Sequence, residues 1–177
     1  MIKHTIPCKP LVEEIKQLIT PTKEGRLYPL IIGEHGTGKT SLIKLAVNGT
    51  DEPKGVVYVD IPIQCGLEVD VTKAMQKALG WSLDQSIDSS EPVSSEEVLQ
   101  VLSRHAIKYK QEYGRVPVLI VDNANRLARK HQELLDLFQD YAKDAADKGT
   151  VTVVFVSSKG RVPRRMMGKS IMFVVLF

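Results

Sequence analysis

The sequence of 177 residues has few cysteines, no long apolar run and no strong excess of charge of one sign. Its two cysteines, Cys8 and Cys65, exclude a disulfide framework and favour unpaired thiols in a reducing compartment. No apolar run reaches the length that a bilayer crossing needs, and the N-terminus starts no run typical of a secretory signal. These absences predict an intracellular protein, in the cytoplasm or the nucleus, without a membrane partner.

The charges are nearly balanced, because 24 Lys and Arg residues face 21 Asp and Glu residues and leave a net charge of +3. An excess this small is not that of a dedicated nucleic-acid binder, although it leaves a nucleic-acid partner open. Apolar residues make up 43% and charged residues 25% of the chain, as in ordinary globular domains. This composition excludes wholesale disorder, collagen and a coiled coil.

Short apolar runs alternate with segments of helical periodicity along the chain. Strands joined by helices in this way indicate a parallel sheet that is covered on both faces. We therefore predict an α/β fold, a three-layer domain whose mostly parallel five-stranded sheet is flanked by helices. A helical segment at 1–26 leads into a single core domain at 27–177. The predicted strands are Leu27 to Ile32, Gly55 to Ile61, Val116 to Val121, Val151 to Val156 and Ile171 to Phe177.

Residues Gly33 to Thr40 fit the pattern G-x-x-x-x-G-K-[ST] in full, between an apolar strand and a helix. Glycines let the backbone wrap around anionic phosphates, and the first turn of a helix presents unpaired N–H groups to them. Lys39 is placed to reach the β and γ phosphates, and the Thr40 hydroxyl to bind Mg²⁺. The predicted nucleotide-binding residues of this loop are Gly33, Glu34, His35, Gly36, Thr37, Gly38, Lys39, Thr40 and Ser41.

A phosphate-binding loop needs a carboxylate beside the metal, and Asp122 follows the apolar run at 118–121. We expect Asp122 to hold Mg²⁺ opposite Thr40, with a water molecule between the carboxylate and the ion. Asp60, which follows the second predicted strand, is the competing candidate. Asp122 is favoured because its strand is more apolar and its helical crossover is complete.

Two further positions complete the predicted site. Asn123, directly after Asp122, can orient a water molecule through its amide but cannot accept its proton, which predicts slow hydrolysis. The predicted catalytic residues are therefore Lys39, Asp122 and Asn123. At the end of the fourth strand, Ser157 and Lys159 are placed to reach the γ-phosphate.

Together these motifs resemble the additional-strand P-loop NTPases, the branch that holds the AAA+ ATPases and the STAND signalling ATPases. The resemblance covers about residues 5 to 161 and rests on GEHGTGKTSL (33–42), VPVLIVDNANRLA (116–128) and VTVVFVSSKGR (151–161). It implies ATP and Mg²⁺ as cofactors and the strand order second, third, fourth, first, last. It also implies that Ile6, Pro7 and Leu11 line the adenine site.

The chain departs from this branch in three ways. Asn123 breaks the usual pair of acidic residues, and Lys159 stands where arginine is usual. The helical lid that follows the core in the family is missing, so we expect the C-terminus to be truncated. The first two departures put fast turnover in doubt and leave nucleotide binding intact.

The leading interpretation is an ATP-binding, Mg²⁺-dependent ATPase core that acts as a switch or motor with slow hydrolysis. Its expected partners are nucleotide and either another protein or a second copy of the chain. One alternative is a non-hydrolysing, nucleotide-loaded interaction module. A small-molecule kinase is less favoured and would need Arg161, Arg164 and Arg165 to close over the phosphates. A GTPase is disfavoured because the chain has no N-K-x-D segment.

Overall fold

The computed structural model describes residues 9–24, 28–49, 54–81, 93–158 and 162, together with the backbone of 171–176. Several residues singled out above lie outside these ranges, namely Ile6, Pro7, Cys8, Lys159, Arg161, Arg164 and Arg165. The elements in chain order are α1 (Lys9–Ile19), β1 (Tyr28–Gly33), α2 (Lys39–Asn48), β2 (Val56–Asp60), α3 (Glu68–Ala78), α4 (Ser95–Tyr113), β3 (Val118–Asp122), α5 (Asn125–Lys130), α6 (Gln132–Lys148), β4 (Thr152–Ser158) and β5 (Ile171–Leu176).

The strands form one parallel sheet in the order β2-β3-β4-β1-β5. Side chains are described for the first four strands, whereas β5 is described by its backbone alone. The predicted α/β class is confirmed. Strand β4 lies between β1 and β3, as the family resemblance implied, and this order brings the loop after β1 close to the end of β3.

The sheet is buried on both faces, which explains why its strands read as continuous apolar runs. All six residues of β1 and all five of β3 are buried. Successive side chains alternate between the faces. Leu30 and Ile32 pack with the core under α3, α4 and α6, and Ile31 packs with the core under α1 and α2. None of the helices in the described part of the chain combines the length and apolar character that a membrane crossing requires.

The sequence predicts a helix with Ser94 as its N-cap, Glu97 three residues on and Gly114 at its end, and α4 begins with this capping box. The Glu97 backbone N–H donates to Ser94 Oγ at 3.2 Å, and the Ser94 backbone N–H donates to Glu97 Oε2 at 2.7 Å. These reciprocal bonds satisfy N–H groups that have no partner within the helix. The helix ends at Gly114, so both of its predicted ends are confirmed.

The helical periodicity of the sequence predicts a single long helix over roughly Leu127 to Lys148. This prediction is wrong, because His131 divides the segment into α5 and α6. His131 has φ −140° and ψ 72°, outside the helical region. Its Nε2 lies 2.7 Å from the carbonyl oxygen of Cys65, in the loop after β2. This tertiary contact holds the break, and it turns α5 so that its basic side chains face the carboxyl edge of the sheet.

Polar or small residues end the four strands that carry described side chains. Gly33 of β1 pairs with Ser158 of β4, and Asp60 of β2 pairs with Asp122 of β3. Because carboxyl ends of parallel strands lie at one edge of the sheet, these residues come together there. Ligand sites of open α/β sheets form at this edge.

Gly55, just before β2, occupies a position that only glycine fits. Its φ is +86°, and an added Cβ would lie 2.4 Å from both Cζ and the hydroxyl of Tyr109. We expect Gly55→Ala to lower the free energy of unfolding by about 1–3 kcal/mol, measured by urea denaturation. Gly66→Ala is the control, because the added Cβ there meets nothing within 4 Å. Equal stabilities of the two variants would contradict this assignment.

Candidate functional site

A cleft of about 920 Å³ opens at the carboxyl edge of the sheet. Five parts of the chain line it: the glycine-rich loop with the first turn of α2, the loop between β2 and α3, the end of β3, helix α5 and the end of β4. The loop between β2 and α3 contributes Ile63, whose side chain is exposed. The cleft therefore lies where the strand order places the loop and the acidic strand on either side of β4.

The glycine-rich loop leads directly into α2 through two residues with left-handed backbone, Gly36 at φ 84° and Gly38 at φ 78°. Such torsions are strained for residues that carry a Cβ. Gly38 is the N-cap, and no side chain caps the helix there. The first-turn N–H groups of α2 have no partners within the helix, and the helix dipole adds positive potential at this end.

Lys39 folds back onto the loop that precedes it. Its Nζ donates to the carbonyl oxygens of Gly33 at 2.9 Å and Glu34 at 2.7 Å, and it lies 3.4 Å from Thr37 Oγ1. Burial lowers the pKa of Lys39, and the charges of Asp122 and Glu34 offset part of this effect. An anion in the cleft would favour the charged ammonium and give Nζ a stronger acceptor than the carbonyls.

Asp122 is the buried carboxylate of the site, with 2% of its surface exposed. Its Oδ2 accepts from Thr40 Oγ1 at 2.8 Å and from the Tyr58 hydroxyl at 2.6 Å. Its Oδ1 accepts from the backbone N–H of Asn123 at 2.7 Å. The structure thus places the two predicted metal ligands, Thr40 and Asp122, in direct contact.

Tyr58 is a site residue that the sequence analysis missed. It lies on β2, two positions before Asp60, and its hydroxyl reaches across to Asp122. Burial raises the pKa of Tyr58 above its ordinary value, and the hydrogen bond to Asp122 adds to that effect. Lys44 Nζ lies 5.7 Å from the ring centroid, within the range of a cation–π contact. In the sequence, Tyr58 looks like any other residue of a partly buried strand.

Asp60, Asn123 and Arg126 form a second polar cluster at the same edge. Asp60 Oδ1 accepts from Asn123 Nδ2 at 2.8 Å and from Arg126 Nη1 at 3.2 Å. Arg126 Nη1 also donates to the carbonyl oxygen of Ile61. Among the described residues, no contact joins Asp60, the competing metal candidate, to Thr40. Its Oδ1 is instead hydrogen-bonded to Asn123 and Arg126.

The end of β4 contributes polar groups to the other side of the cleft. Ser157 is buried, and its Oγ donates to the carbonyl oxygen of Ser158 at 3.0 Å. The backbone N–H of Ser158 lies 3.5 Å from Asn125 Oδ1, which links β4 to the start of α5. Lys159, the other residue predicted at this end, lies outside the described residues.

The cleft gathers most of the predicted site residues and adds others. The predicted residues that line it are His35, Gly36, Gly38, Lys39, Thr40, Asp122, Asn123 and Ser157. Predicted loop residues that are not among its lining are Gly33, Glu34, Thr37 and Ser41. Lining residues that the sequence analysis missed are Ile63, Asn125, Arg126, Arg129, Lys130, Val156 and Ser158. The basic residues of α5 were not predicted as site residues, because the periodicity of that segment indicates part of a longer helix.

Residues 22–164 match the family of AAA domains. In sequence, the chain is 26% identical over 152 residues to a protein of Aureobasidium melanogenum named ABC-type transporter MDR1. The match covers 84% of this chain but 10% of that protein.

Three solved structures have a similar fold. Drosophila ORC, in a complex with DNA, gives a TM-score of 0.68 at 18% identity over 97% of this chain and 42% of that chain. Cdc6p from Pyrobaculum aerophilum gives a TM-score of 0.62 at 17% identity, over 97% of this chain and 46% of that chain. A Walker-type ATPase of Pyrococcus abyssi gives a TM-score of 0.61 at 18% identity, over 94% of this chain and 52% of that chain. The chain spans no more than about half of any of these proteins, and the likeness is one of fold.

The bond between Tyr58 and Asp122 predicts a measurable contribution to stability. Tyr58→Phe removes one donor from a buried carboxylate, so we expect a loss of about 1–3 kcal/mol in the free energy of unfolding at neutral pH. Because the pKa of Tyr58 is raised above 10.0 in the fold, its stabilisation is complete below pH 10 and is lost as the pH rises. The decline of stability above pH 10 should therefore be shallower in the variant.

Urea denaturation across the pH series checks this, with Tyr109→Phe as the control. The Tyr109 hydroxyl donates to the Lys54 carbonyl oxygen at an exposed position, so its loss should change stability little. The hydrogen bond between Tyr58 and Asp122 would have no stabilising role if both variants kept the wild-type free energy of unfolding and the same decline of stability above pH 10.

Proposed function

This chain belongs to the AAA domain family, and we propose that its cleft binds ATP with Mg²⁺ and hydrolyses the ATP slowly, as a switch or motor core. One observation carries the proposal: a P-loop lysine, an uncapped helix N-terminus and a hydroxyl–carboxylate pair meet in one cleft. ATP is proposed over GTP because the sequence holds no N-K-x-D segment.

The phosphates would be bound by the loop and the first turn of α2. The free N–H groups there donate to phosphate oxygens, and the helix dipole favours their negative charge. Lys39 Nζ would exchange the carbonyl oxygens of Gly33 and Glu34 for oxygens of the β and γ phosphates. This exchange replaces neutral acceptors with charged ones, so it favours the bound state.

The donor set beside Lys39 fits a magnesium ion. Mg²⁺ prefers oxygen ligands and keeps several waters, so it needs few protein groups. The Thr40 hydroxyl would be its direct ligand, and the Asp122 carboxylate would hold it through water. When bound, the ion neutralises charge on the phosphates. The chain's own contribution is to hold Thr40 and Asp122 at 2.8 Å from each other.

In the proposed hydrolysis, a water oxygen forms a bond to the γ-phosphorus as the bond to the β,γ-bridging oxygen breaks. ADP leaves with that electron pair, and the water's proton passes to phosphate or solvent. Lys39 stabilises the developing charge. Asn123 orients the water but cannot take its proton, which is the reason to expect slow turnover. Ser157 and Lys159 are proposed to contact the γ-phosphate and so to sense whether it is present.

A second candidate is a nucleotide-loaded interaction module without turnover. It is favoured by Asn123, whose amide cannot accept a proton from the attacking water. Drosophila ORC, whose fold is similar, is bound to DNA in its structure, so a nucleic-acid partner stays open beside the proposed protein partner or self-association. The exposed side chains of Ile63 and Leu67 in the loop after β2 are compatible with a protein contact near the cleft. The boundary at residue 26, between the N-terminal helical segment and the core domain, also stays a proposal.

Calorimetric titration of the chain with ATP and Mg²⁺ tests the proposed function. We expect Lys39→Ala to weaken binding by at least about tenfold, because it removes a charged donor to the phosphates. Lys143→Ala, an exposed lysine on α6 away from the cleft, is the matched control and should bind as the wild type does. A folded wild type that binds no ATP would overturn the proposal.

The metal assignment has its own test. Thr40→Ala should bind ATP without the gain in affinity that Mg²⁺ gives the wild type, since its direct ligand is gone. Thr40→Ser keeps a hydroxyl and should keep the Mg²⁺ dependence. Titrations with and without Mg²⁺ measure both. Equal Mg²⁺ dependence in Thr40→Ala and the wild type would remove Thr40 from the metal site.

A further inference from the structure

Resting on the proposed function, we propose that Asp60 is a positioning residue for ATP hydrolysis and acts on the attacking water through Asn123. The two residues end or follow neighbouring strands, and they form an acceptor–donor pair between Asp60 Oδ1 and Asn123 Nδ2 at 2.8 Å. Asn123 and Arg126 line the cleft, and Asp60, which is not among the lining residues, contacts both of them.

The carboxylate decides which end of the Asn123 amide faces the cleft. An ionised carboxylate accepts hydrogen bonds and donates none, so the amide must turn its NH₂ group towards Asp60. Its Oδ1 then points away from Asp60, and no hydrogen bond from the described residues reaches it. A carbonyl oxygen in that position accepts a hydrogen bond from water, which an NH₂ group cannot do.

The backbone holds the other end of the Asn123 side chain in place. Asn123 has φ 60°, a left-handed conformation that asparagine tolerates better than most residues. Its N–H donates to Asp122 Oδ1 at 2.7 Å. The amide is therefore fixed at its base by the metal-side carboxylate and at its tip by Asp60. A side chain held at both ends can orient water without the entropy cost of a free rotor.

Arg126 keeps the Asp60 carboxylate in position. Its Nη1 lies 3.2 Å from Asp60 Oδ1 and also donates to the Ile61 carbonyl oxygen. The side chains are 26% and 46% exposed, so the ion pair contributes little to stability by itself. Its effect is geometric, because the contact with Arg126 holds the Asp60 carboxylate beside Asn123.

The test is a double-mutant cycle on the single-turnover rate of ATP hydrolysis at saturating ATP and Mg²⁺. We expect Asp60→Ala and Asn123→Ala each to lower the rate by about tenfold or more, because a misplaced water costs rates of this order. The double variant should be no slower than the slower single variant, since residues acting as a unit are non-additive. ATP affinity should stay close to that of the wild type, as should the melting temperature of Asp60→Ala. The variants that carry Asn123→Ala should melt at a lower temperature, because alanine is strained at φ 60°.

Asp144→Ala is the matched control, because Asp144 is an exposed aspartate paired with Lys148 on α6. It should leave the rate unchanged. The ¹⁵N-labelled side-chain NH₂ signal of Asn123 gives a readout independent of turnover. That signal should shift in Asp60→Ala and stay in place in Asp144→Ala.

Four results would overturn the inference. Asp60→Ala could keep the rate within about twofold of the wild type, where the orientation argument requires a larger loss. The effects of Asp60→Ala and Asn123→Ala could multiply in the double variant. A wild type that binds ATP without hydrolysing it would also exclude a positioning role while leaving nucleotide binding standing. Absence of ATP binding in the calorimetric titration would overturn the proposed function and this inference together.

Discussion

The buried carboxylate of Asp122 is the constraint on which the rest of the site depends. A carboxylate with 2% exposure is stable only when its oxygens are hydrogen-bonded. Its donors come from α2, β2 and the turn after β3, through Thr40, Tyr58 and Asn123. These bonds join the phosphate-binding loop to the acidic strand, although β4 lies between β1 and β3 in the sheet. The parallel arrangement makes them possible, because it brings all the carboxyl ends to one edge.

Two states of the loop follow from this arrangement. In the structure, Lys39 donates to carbonyl oxygens of its own loop, and Thr40 donates to Asp122. Both side chains would need new partners when a phosphate and a metal ion enter. Lys39 is therefore held by neutral carbonyl acceptors, which charged phosphate oxygens can replace. A binding event at Lys39 and Thr40 would in this way reach Asp122 and, through its neighbour Asn123, the cluster at Asp60.

Local sequence signals predicted the parts of the fold that local chemistry decides. The glycine-rich loop, the apolar strand before Asp122 and the capping box at Ser94 are each legible in a short window. The break at His131 is not, because helical periodicity continues through it and a contact with the Cys65 carbonyl holds it. The Tyr58 and Asp60 contacts depend on register between strands more than sixty residues apart in the chain. That information is absent from any single segment, so these site residues were missed or given another role.

The most direct test of the account is the structure of the chain with Mg²⁺ and a non-hydrolysable ATP analogue. The account predicts the β and γ phosphates at the first turn of α2, with Lys39 Nζ moved from the Gly33 and Glu34 carbonyls onto phosphate oxygens. It also predicts the ion beside the Thr40 hydroxyl, with Asp122 in its second shell. A nucleotide bound elsewhere, or a Lys39 still bonded to its own loop beneath a bound nucleotide, would contradict it.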